Sequence, residues 1–349
     1  MRATLIHGPR DIRVEDVPDP VIRKPTDTVV RVVASCVCGS DLHPYRGTVG
    51  DTTKACRIGH EFVGIVEEVG SDVRTVRLGQ FVIAPFVVSD GTCANCVNGI
   101  TTSCLHGASW GSEDADGFTV DGGQGEFVRV PSADGTLVTT PEVPDDSLVP
   151  SLLTLSDVMC TGHHAAVSAG VGEGKTVVVV GDGAVGLSAV LASHRLGAER
   201  VVVMSRHTSR QAVASEFGAT DIVAERGEEG VAAIRELFDG IGADCVLECV
   251  GTAESMQQAI DSTRPGGRVG YVGVPVGSEI PIRKLFSANI TIGGGVAPVR
   301  SYIEALLGDV LEGSIDPGKV FDSEMPLEEA AAAYKAMDER TAIKVLLRP

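Results

Sequence analysis

A strand that runs directly into a glycine-rich turn constrains the fold of this chain more than any other feature. Residues 176–180 end in four valines, and Gly181, Gly183 and Gly186 follow before a helix predicted over 184–196. Such an apolar run is typical of a strand buried on both faces of a parallel sheet. Glycines at this spacing allow a tight turn, backbone approach to a pyrophosphate and close helix packing. The pattern therefore predicts a dinucleotide site, with Ala184 and Val185 at the start of the helix.

The segment around this turn alternates between strands and helices. A helix is predicted over residues 151–170 and another over 207–217, and further strands are predicted at 200–204, 221–223, 245–249, 268–272 and 291–293. Repeated strand–helix units form a doubly wound parallel sheet, so the predicted fold class is α/β.

Residues 1–150 have a different pattern, with short valine-rich segments bounded by Gly, Pro and Asp. We interpret them as a β-rich domain, to which a closing strand at 343–347 is predicted to return. The predicted division is therefore a β-rich domain of residues 1–150 and 291–349, and a dinucleotide-binding domain of residues 151–290.

Charge and cysteine usage narrow the classes of function. The 349 residues carry a net charge of −18, which disfavours nucleic acid and anionic membrane as partners. No apolar run approaches about 20 residues, so no membrane-spanning helix is predicted. The odd count of nine cysteines, without an export signal, favours thiolate ligands over disulfides and a cytoplasmic location.

The residues after the second predicted strand of this domain indicate which nucleotide is bound. An acidic residue there would bind the ribose hydroxyls of NAD(H) and repel a 2′-phosphate. The chain instead has Ser205 and Arg206, with Arg210 one turn further. A hydroxyl beside an arginine holds a phosphate by charge-assisted hydrogen bonds, which favours NADP(H) over NAD(H). The alternative is that both arginines are solvated helix charges.

Two sets of metal-ligating side chains precede the glycine-rich turn. Cys38 and His60 are ligands suited to Zn²⁺, and catalytic zinc takes three protein ligands and keeps one position open. Asp157 is the preferred third ligand, Cys160 the competitor, and Glu61 an occasional fourth ligand or a neighbour of the site. Three further cysteines, Cys93, Cys96 and Cys104, form a separate cluster.

These motifs, in this order along essentially the whole chain, resemble the zinc-dependent alcohol dehydrogenases of the medium-chain dehydrogenase/reductase superfamily. The resemblance rests on the Cys38-Gly-Ser-Asp-Leu-His43 run, Gly59-His60-Glu61, the cysteine cluster and the glycine fingerprint. It implies a GroES-like β-rich catalytic domain joined to a Rossmann domain. In the family the third zinc ligand lies four residues before a Thr-Gly pair, which here gives Asp157. In having aspartate at that place, the chain resembles the bacterial secondary-alcohol dehydrogenases more than the members with a cysteine ligand. In its Ser-Arg pair after the second strand, it resembles the NADP-using members of that group.

The resemblance also implies roles for residues whose spacing alone does not reveal them. Ser40 and His43 would relay the proton released when an alcohol is oxidised. The cofactor would contact the ends of later strands, and the strand at 289–293 would pair across a homodimer or within a homotetramer. The cofactor-contacting residues implied in this way are Val250, Gly273, Val274 and Gly295.

The cysteine cluster departs from the family pattern at one position. The family's structural zinc lobe has four cysteines, and Asp90 stands where the first would be. Asp90 either completes an Asp-Cys₃ zinc site with Cys93, Cys96 and Cys104, since carboxylates ligate zinc, or the lobe holds no metal. We favour zinc, which in a closed site would only brace the loop.

The sequence therefore predicts a zinc-dependent alcohol dehydrogenase or carbonyl reductase that acts on a small molecule with NADP(H). His43, Phe86 and Trp110 are candidates for the substrate cleft, Trp110 equally for plain packing. The alternatives are a polyol, sugar or amino-alcohol dehydrogenase on the same scaffold, a zinc-free quinone or enone reductase, and a non-enzymatic zinc- or NADPH-binding protein. The intact set of Cys38, His60 and Ser40 disfavours the last, because a binding protein needs no proton relay.

Overall fold

The computed structural model describes residues 1–48, 55–277 and 279–349. These residues form two compact units, one of Met1–Asp157 with Pro298–Pro349 and the other of Val158–Ala297. The boundaries predicted from the sequence stood at 150/151 and 290/291.

The first unit is built on β-sheets. Its largest sheet has seven strands in the order β12-β6-β5-β3-β20-β19, with β11 also paired to β3. Smaller sheets have the order β2-β1-β4 and pair β7 with β8 and β9 with β10. The strands are β1 (Arg2–Gly8), β2 (Asp11–Asp16), β3 (Thr28–Cys36), β4 (Cys56–Arg57), β5 (Phe62–Val69), β6 (Phe81–Ala84), β7 (Val87–Val88), β8 (Ala108–Ser109), β9 (Ser112–Glu113), β10 (Thr119–Val120), β11 (Phe127–Val130), β12 (Val138–Thr139), β19 (Ser323–Pro326) and β20 (Val345–Arg348).

The central strands of this sheet bring distant parts of the chain to one edge. β3 runs antiparallel to both β5 and β20, with Ser35 opposite Phe62 and Cys36 opposite Leu346. The end of β3 therefore lies beside the starts of β5 and β20. The return of the closing strand to this domain, predicted for residues 343–347, is confirmed. Valine and phenylalanine side chains, among them Val32, Phe62 and Val82, form the core under the sheet.

The second unit is a six-stranded parallel sheet in the order β15-β14-β13-β16-β17-β18. Val178 is opposite Val202 on one side and Val246 on the other, and all three are fully buried. The predicted doubly wound α/β fold is confirmed, and the valine run occupies the middle of the sheet as its lack of polar residues requires. The strands are β13 (Thr176–Val180), β14 (Arg200–Met204), β15 (Asp221–Val223), β16 (Ala243–Glu248), β17 (Thr263–Tyr271) and β18 (Thr291–Gly294).

Helices connect these strands and flank both units. The α-helices are α1 (Leu42–Arg46), α2 (Ala94–Val97), α3 (Ala133–Thr136), α4 (Val149–Thr154), α5 (Val158–Ala169), α6 (Ala184–Arg195), α7 (Thr208–Glu216), α8 (Gly227–Leu237), α9 (Ala253–Ser262), α10 (Ile282–Ala288), α11 (Val299–Leu311) and α12 (Ala330–Asp338). The described residues also form 3₁₀ helices at Thr101–Ser103, Asp146–Leu148, Pro317–Val320 and Leu327–Glu329. None of the helices in the described ranges has the length and apolar character needed to cross a membrane.

The prediction of a single helix over residues 151–170 is wrong. The chain forms α4 and α5, separated by a turn at residues 155–157. The backbone N–H groups of Leu155, Ser156 and Asp157 each donate to the carbonyl three residues earlier, which tightens the last turn of α4. An apolar helical pattern does not reveal this break, because both helices bury most of their residues.

Candidate metal and nucleotide sites

Cys38 lies just beyond the end of β3, in a loop that the side chain of Asp41 holds in place. The Cys38 backbone N–H donates to Asp41 Oδ2 at 2.9 Å, and the Asp41 N–H donates back to the Cys38 carbonyl at 3.2 Å. Both residues are buried. This reciprocal pair fixes the direction of the Cys38 side chain before α1 begins.

His60 lies just before β5 and is oriented by the same aspartate. Its Nδ1 lies 3.0 Å from Asp41 Oδ1, so Nδ1 carries the proton that the carboxylate accepts. Nε2 is then the nitrogen that faces Asp157, whose Oδ2 lies 3.4 Å away. A carboxylate that fixes the tautomer of a ligating histidine is a usual feature of zinc sites. The sequence analysis did not assign Asp41 a role.

Asp157, the last residue of the turn between α4 and α5, completes the group. Cys38, His60, Glu61 and Asp157 each offer a ligand atom within 4.8 Å of the others. Among the described residues, Cys160 is not part of this group. Cys38 Sγ lies 3.6 Å from Asp157 Oδ2. Ligands of tetrahedral zinc lie about 3.3–3.8 Å apart, given the usual bond lengths, so these residues fit a zinc ion.

Glu61 is tied to a buried lysine that the sequence analysis missed. Lys344 Nζ donates to Glu61 Oε1 at 2.7 Å and to the Val37 carbonyl at 3.3 Å, and both side chains are 1% exposed. Burial opposes a charge on Lys344, but nearby Cys36 and Glu61 outweigh it and raise its pKa well above the ordinary value. Within the described part of the chain, the other carboxylate oxygen of Glu61, Oε2, has no hydrogen-bond partner. Lys344 thus binds Oε1, the Glu61 oxygen that lies 4.0 Å from His60 Nε2.

The charges around His60 favour binding of a cation. Burial alone would lower the pKa of His60, but Asp41 and Cys38 raise it well above the ordinary value. Burial, together with Glu61 and Asp157, raises the pKa of Cys38. A proton therefore occupies this site when no metal does, and zinc must displace it.

Two other residues predicted for this site have different surroundings. The Ser40 hydroxyl lies 3.3 Å from His60 Nε2, beside the ligand group. His43, in α1, has its Nδ1 3.5 Å from the Thr48 hydroxyl. Of the other two cleft candidates, Phe86 and Trp110, Phe86 meets the His60 ring edge-on, with 6.4 Å between ring centroids. Trp110 packs against Phe62 and donates Nε1–H to the Pro85 carbonyl, so its role is packing.

The second ligand group is the predicted lobe of Asp90, Cys93, Cys96 and Cys104, again with one ligand atom each within 4.8 Å. Cys93 Sγ and Cys104 Sγ are 3.9 Å apart. This is close to the separation of about 3.8 Å expected between two thiolate sulfurs bound to one tetrahedral zinc ion. Backbone N–H groups, that of Leu105 first, lower the pKa of Cys93 to about 7. Asp90 Oδ1 accepts from the N–H of Thr92 and Cys93. The lobe is thus a closed set of donors that fits zinc.

The nucleotide fingerprint has the geometry that its glycines predicted. Gly181 has φ of 118°, which disfavours any side chain. A Cβ on Gly186 would collide with the Gly181 carbonyl, so helix α6 lies directly against the turn. The first turn of α6 begins at Ala184 and includes Val185.

An aspartate within the fingerprint contacts the residues predicted to choose the nucleotide. Asp182 Oδ2 accepts a hydrogen bond from Ser205 Oγ at 2.8 Å, and Arg210 Nη1 donates to the Asp182 carbonyl at 3.2 Å. Ser205 and Asp182 are buried, whereas Arg206 is exposed. The sequence analysis overlooked Asp182 because acidic residues are expected at the end of the second strand and not in the turn.

The remaining predicted cofactor residues follow the carboxyl ends of neighbouring strands. Val250 follows β16, Gly273 and Val274 follow β17, and Gly295 follows β18. Glu248 Oε1 accepts the N–H groups of Val250 and Gly251, which fixes the loop after β16. A Cβ on Gly273 would collide with the N–H of Gly251, so these two loops touch. The carboxyl edge of a parallel sheet is where such folds bind ligands.

Two family models match the chain, in agreement with the two units. One, described as the alcohol dehydrogenase GroES-like domain, matches residues 24–142. The other, described as zinc-binding dehydrogenase, matches residues 184–310.

Individual relatives match over the full length. The chain is 33% identical to the zinc-type alcohol dehydrogenase B of Aspergillus flavus, covering 100% of this chain and 81% of that protein. Among solved structures, the alcohol dehydrogenase TADH from Thermus sp. ATN1 has a TM-score of 0.91 at 32% identity, covering 100% and 99% of the two chains. A zinc-binding dehydrogenase of Sinorhizobium meliloti, solved with NADP, has a TM-score of 0.84 at 27% identity, covering 100% and 99%.

A GroES-like unit with a buried Cys-His-Asp group, joined to a dinucleotide-binding sheet, defines a zinc-binding dehydrogenase. The chain belongs to the zinc-type alcohol dehydrogenases of the medium-chain dehydrogenase/reductase superfamily. It is a zinc-dependent oxidoreductase that acts on CH–OH groups of small molecules.

Proposed function

We propose that the protein transfers hydride between NADP(H) and a secondary alcohol/ketone pair or an aldehyde. The observation that carries the proposal is the spacing of Cys38 Sγ, His60 Nε2 and Asp157 Oδ2, at 3.4–3.6 Å between neighbouring ligands. Three protein ligands leave one position of a tetrahedral zinc ion open for substrate. A zinc ion there supplies Lewis acidity toward the substrate oxygen.

The protein's own side chains supply the rest of the chemistry. Lys344 engages Glu61, which supports a site with three protein ligands. Ser40, beside His60 Nε2, is placed to accept the alcohol proton and pass it on, with His43 as the proposed outlet. This arrangement distinguishes the proposal from a zinc- or NADPH-binding protein without activity, which needs no proton acceptor at the metal.

A substrate panel tests the proposal. NADPH oxidation by zinc-loaded protein should be fastest with small ketones and aldehydes, slower with ketoses and amino ketones, and lost after chelation. Faster turnover of ketoses would support the polyol or sugar dehydrogenase alternative. Turnover that survives chelation would indicate a zinc-free reductase and contradict the proposal.

The choice of NADP(H) rests on Ser205, Arg206 and Arg210. Charge-assisted hydrogen bonds from the exposed guanidinium of Arg206 suit a 2′-phosphate. A second candidate is NAD(H), because the Asp182 carboxylate accepts from Ser205 Oγ at 2.8 Å, lies 3.5 Å from Arg210 Nη1 and would repel a phosphate. Comparison of kcat/KM for NADPH and NADH decides between the two, and a preference for NADH would overturn the first.

We also propose a homodimer or homotetramer in the cytoplasm. β18 forms an edge of its sheet and presents unpaired backbone groups to a second copy. Near it along the chain, Ile282 and Phe286 are 72% and 85% exposed, a large apolar surface for a monomer. Light scattering on the purified protein would measure the oligomer, and a monomer would contradict this part of the proposal. Clusters of free cysteines suit a reducing compartment.

A further inference from the structure

Gln124 is a fully buried polar residue outside the ligand groups, in the segment between β10 and β11. Its backbone N–H donates to the Ile58 carbonyl at 3.1 Å, and its carbonyl accepts from the Thr4 N–H at 2.8 Å. The neighbouring Gly123 N–H donates to the Gly59 carbonyl at 2.8 Å. This segment therefore runs alongside the two residues that immediately precede His60.

The side chain of Gln124 also packs against that segment. Gly59 has φ of 98°, and a Cβ there would collide with Cγ of Gln124. The backbone at Gly59 consequently lies against the aliphatic part of the glutamine. Because Gly59 directly precedes His60, the position of Gln124 limits where the imidazole can be.

The amide group of Gln124 has one permitted orientation. Nε2 lies 2.9 Å from the Cys36 carbonyl oxygen, which can only accept a hydrogen bond. The NH₂ group must therefore face Cys36, and its second proton points toward Asp41 Oδ2, 3.5 Å away. The amide oxygen is left for Tyr334, whose hydroxyl lies 3.2 Å from Oε1.

Tyr334 defines the far end of this chain of hydrogen bonds. It lies in α12, is fully buried, and its ring packs against Tyr45 at 5.5 Å between centroids. Burial, with the charge of Asp41, raises the pKa of the Tyr334 hydroxyl well above the ordinary value. The hydroxyl therefore keeps its proton and donates it to the amide.

The chain of donors ends at the metal ligands. Tyr334 donates to Gln124, Gln124 donates to Asp41, and Asp41 receives the Nδ1–H of His60 and the N–H of Cys38. Each added donor fixes the Asp41 carboxylate more firmly. With the proton held on Nδ1, the lone pair of His60 stays on Nε2, the side that a metal requires.

We propose that Gln124 and Tyr334 are positioning residues of the Cys38–His60–Asp157 zinc site, acting through Asp41. The inference rests on the proposed function only in that these three residues hold zinc. Removing the donor from Gln124 loosens Asp41 and His60, and the site releases its metal faster.

Zinc release from the intact, zinc-loaded protein to an excess of a chromogenic chelator tests the proposal. Loss of outer hydrogen bonds to metal ligands typically weakens binding about 10–100-fold. Q124M keeps the size of the side chain but loses the amide NH₂ and the amide oxygen. It should therefore release zinc from this site about tenfold or more faster than the wild type. Q124E, which cannot donate to the Cys36 carbonyl, should behave like Q124M. Y334F should give a smaller increase, about threefold, on the same scale.

Two controls separate positioning from a general loss of structure. Q80M replaces a glutamine whose Oε1 only accepts from the backbone of a surface turn, and should leave release unchanged. The Cys93 lobe serves as an internal reference, because its release phase should not move. In Co²⁺-loaded protein, the visible absorption of the Cys38 site should change in Q124M, whereas a merely less stable fold would leave it unaltered.

The outcomes also separate this inference from the proposed function. Metal analysis showing no zinc at the Cys38 site of the wild type would overturn the proposed function and, with it, this inference. Normal zinc content, with release from Q124M within about twofold of the wild type, would overturn the positioning role alone. If Q124M does not fold, Y334F decides, and an unchanged rate in Y334F overturns the role.

Discussion

Among single side chains, Lys344 is the one whose contribution is most easily tested, because it forms a buried ion pair with Glu61 beside the ligand group. In K344M the Glu61 carboxylate is left buried without its partner, which typically costs about 3–5 kcal/mol. Urea unfolding of the metal-free variant should show a loss of this order. Zinc should restore part of the loss, because the metal gives Glu61 a new counter-charge.

A matched lysine provides the control for this substitution. Lys335 forms an exposed pair with Glu339, so K335M should change the free energy of unfolding by less than about 0.5 kcal/mol. The double variant K344M/E61Q should recover stability relative to K344M. A K344M protein as stable as K335M would mean that the buried pair contributes nothing.

Ser40 is the residue on which the proposed proton transfer depends. S40A removes the hydroxyl 3.3 Å from His60 Nε2 and should lower kcat by about 10²–10⁴-fold, the usual contribution of general acid–base catalysis. The zinc content should not change, because Ser40 is not in the ligand group. S71A, at an exposed serine, is the control, and S40T should regain much of the activity. Unchanged turnover in S40A would exclude Ser40 from the relay.

Asp182 offers a test of nucleotide choice that needs no knowledge of the substrate. D182N removes a negative charge beside Ser205 and Arg210. It keeps one side-chain oxygen to accept from Ser205 and the backbone carbonyl that accepts from Arg210. Relief of a like-charge contact of about 1–2 kcal/mol should raise the NADPH to NADH ratio of kcat/KM roughly tenfold. Calorimetric binding of adenosine 2′,5′-bisphosphate against 5′-AMP checks the same ratio. An unchanged ratio would show that Asp182 does not act on the 2′ position.

At the level of elements, the lobe is a loop that has almost no regular structure of its own. It contains only α2 and one 3₁₀ turn, so its stability has to come from the ligands. D90A should therefore lose the lobe zinc, keep the zinc of the Cys38 site, and lower the unfolding temperature. D90C, which completes four thiolates, should retain both. Metal analysis of the wild type that finds one zinc per chain would contradict the two ligand groups assigned here.

The sequence predicted the elements well where periodicity and glycines determine them. The valine strand, the turn at Gly181 and the parallel sheet follow from local pattern alone. The break between α4 and α5 did not, because it depends on hydrogen bonds within the turn and not on a proline or glycine. That break matters for the site, since it puts Asp157 in a turn between two helices.

Contacts between residues that only sheet pairing brings together also could not be predicted from the sequence. Lys344 meets Glu61 because β20 and β5 both pair with β3, a fact of topology that no local pattern contains. Asp41 stood inside a recognised motif, but its role depends on the position of His60. The ligands themselves could be predicted because thiolate, imidazole and carboxylate chemistry restricts the choice.

For the whole molecule, metal loading should depend on pH in a defined direction. The raised pKa values of His60 and Cys38 mean that both hold protons in the metal-free protein and lose them when zinc binds. Zinc affinity should therefore fall as the pH is lowered from about 8 to about 6, because protons compete more strongly. Competition with a chromogenic chelator across this range measures the effect. An affinity independent of pH would contradict the protonated state of the empty site.

In the proposed function, zinc held by Cys38, His60 and Asp157 makes hydride transfer possible. The most direct measurement is titration of metal-free protein with zinc while NADPH and NADH oxidation is followed with a carbonyl substrate, in the wild type and in C38S. Wild-type activity should rise in proportion to zinc bound at this site, and C38S should stay inactive while its lobe still takes up zinc. Nicotinamide oxidation by the metal-free protein, or by C38S at the wild-type rate, would contradict it.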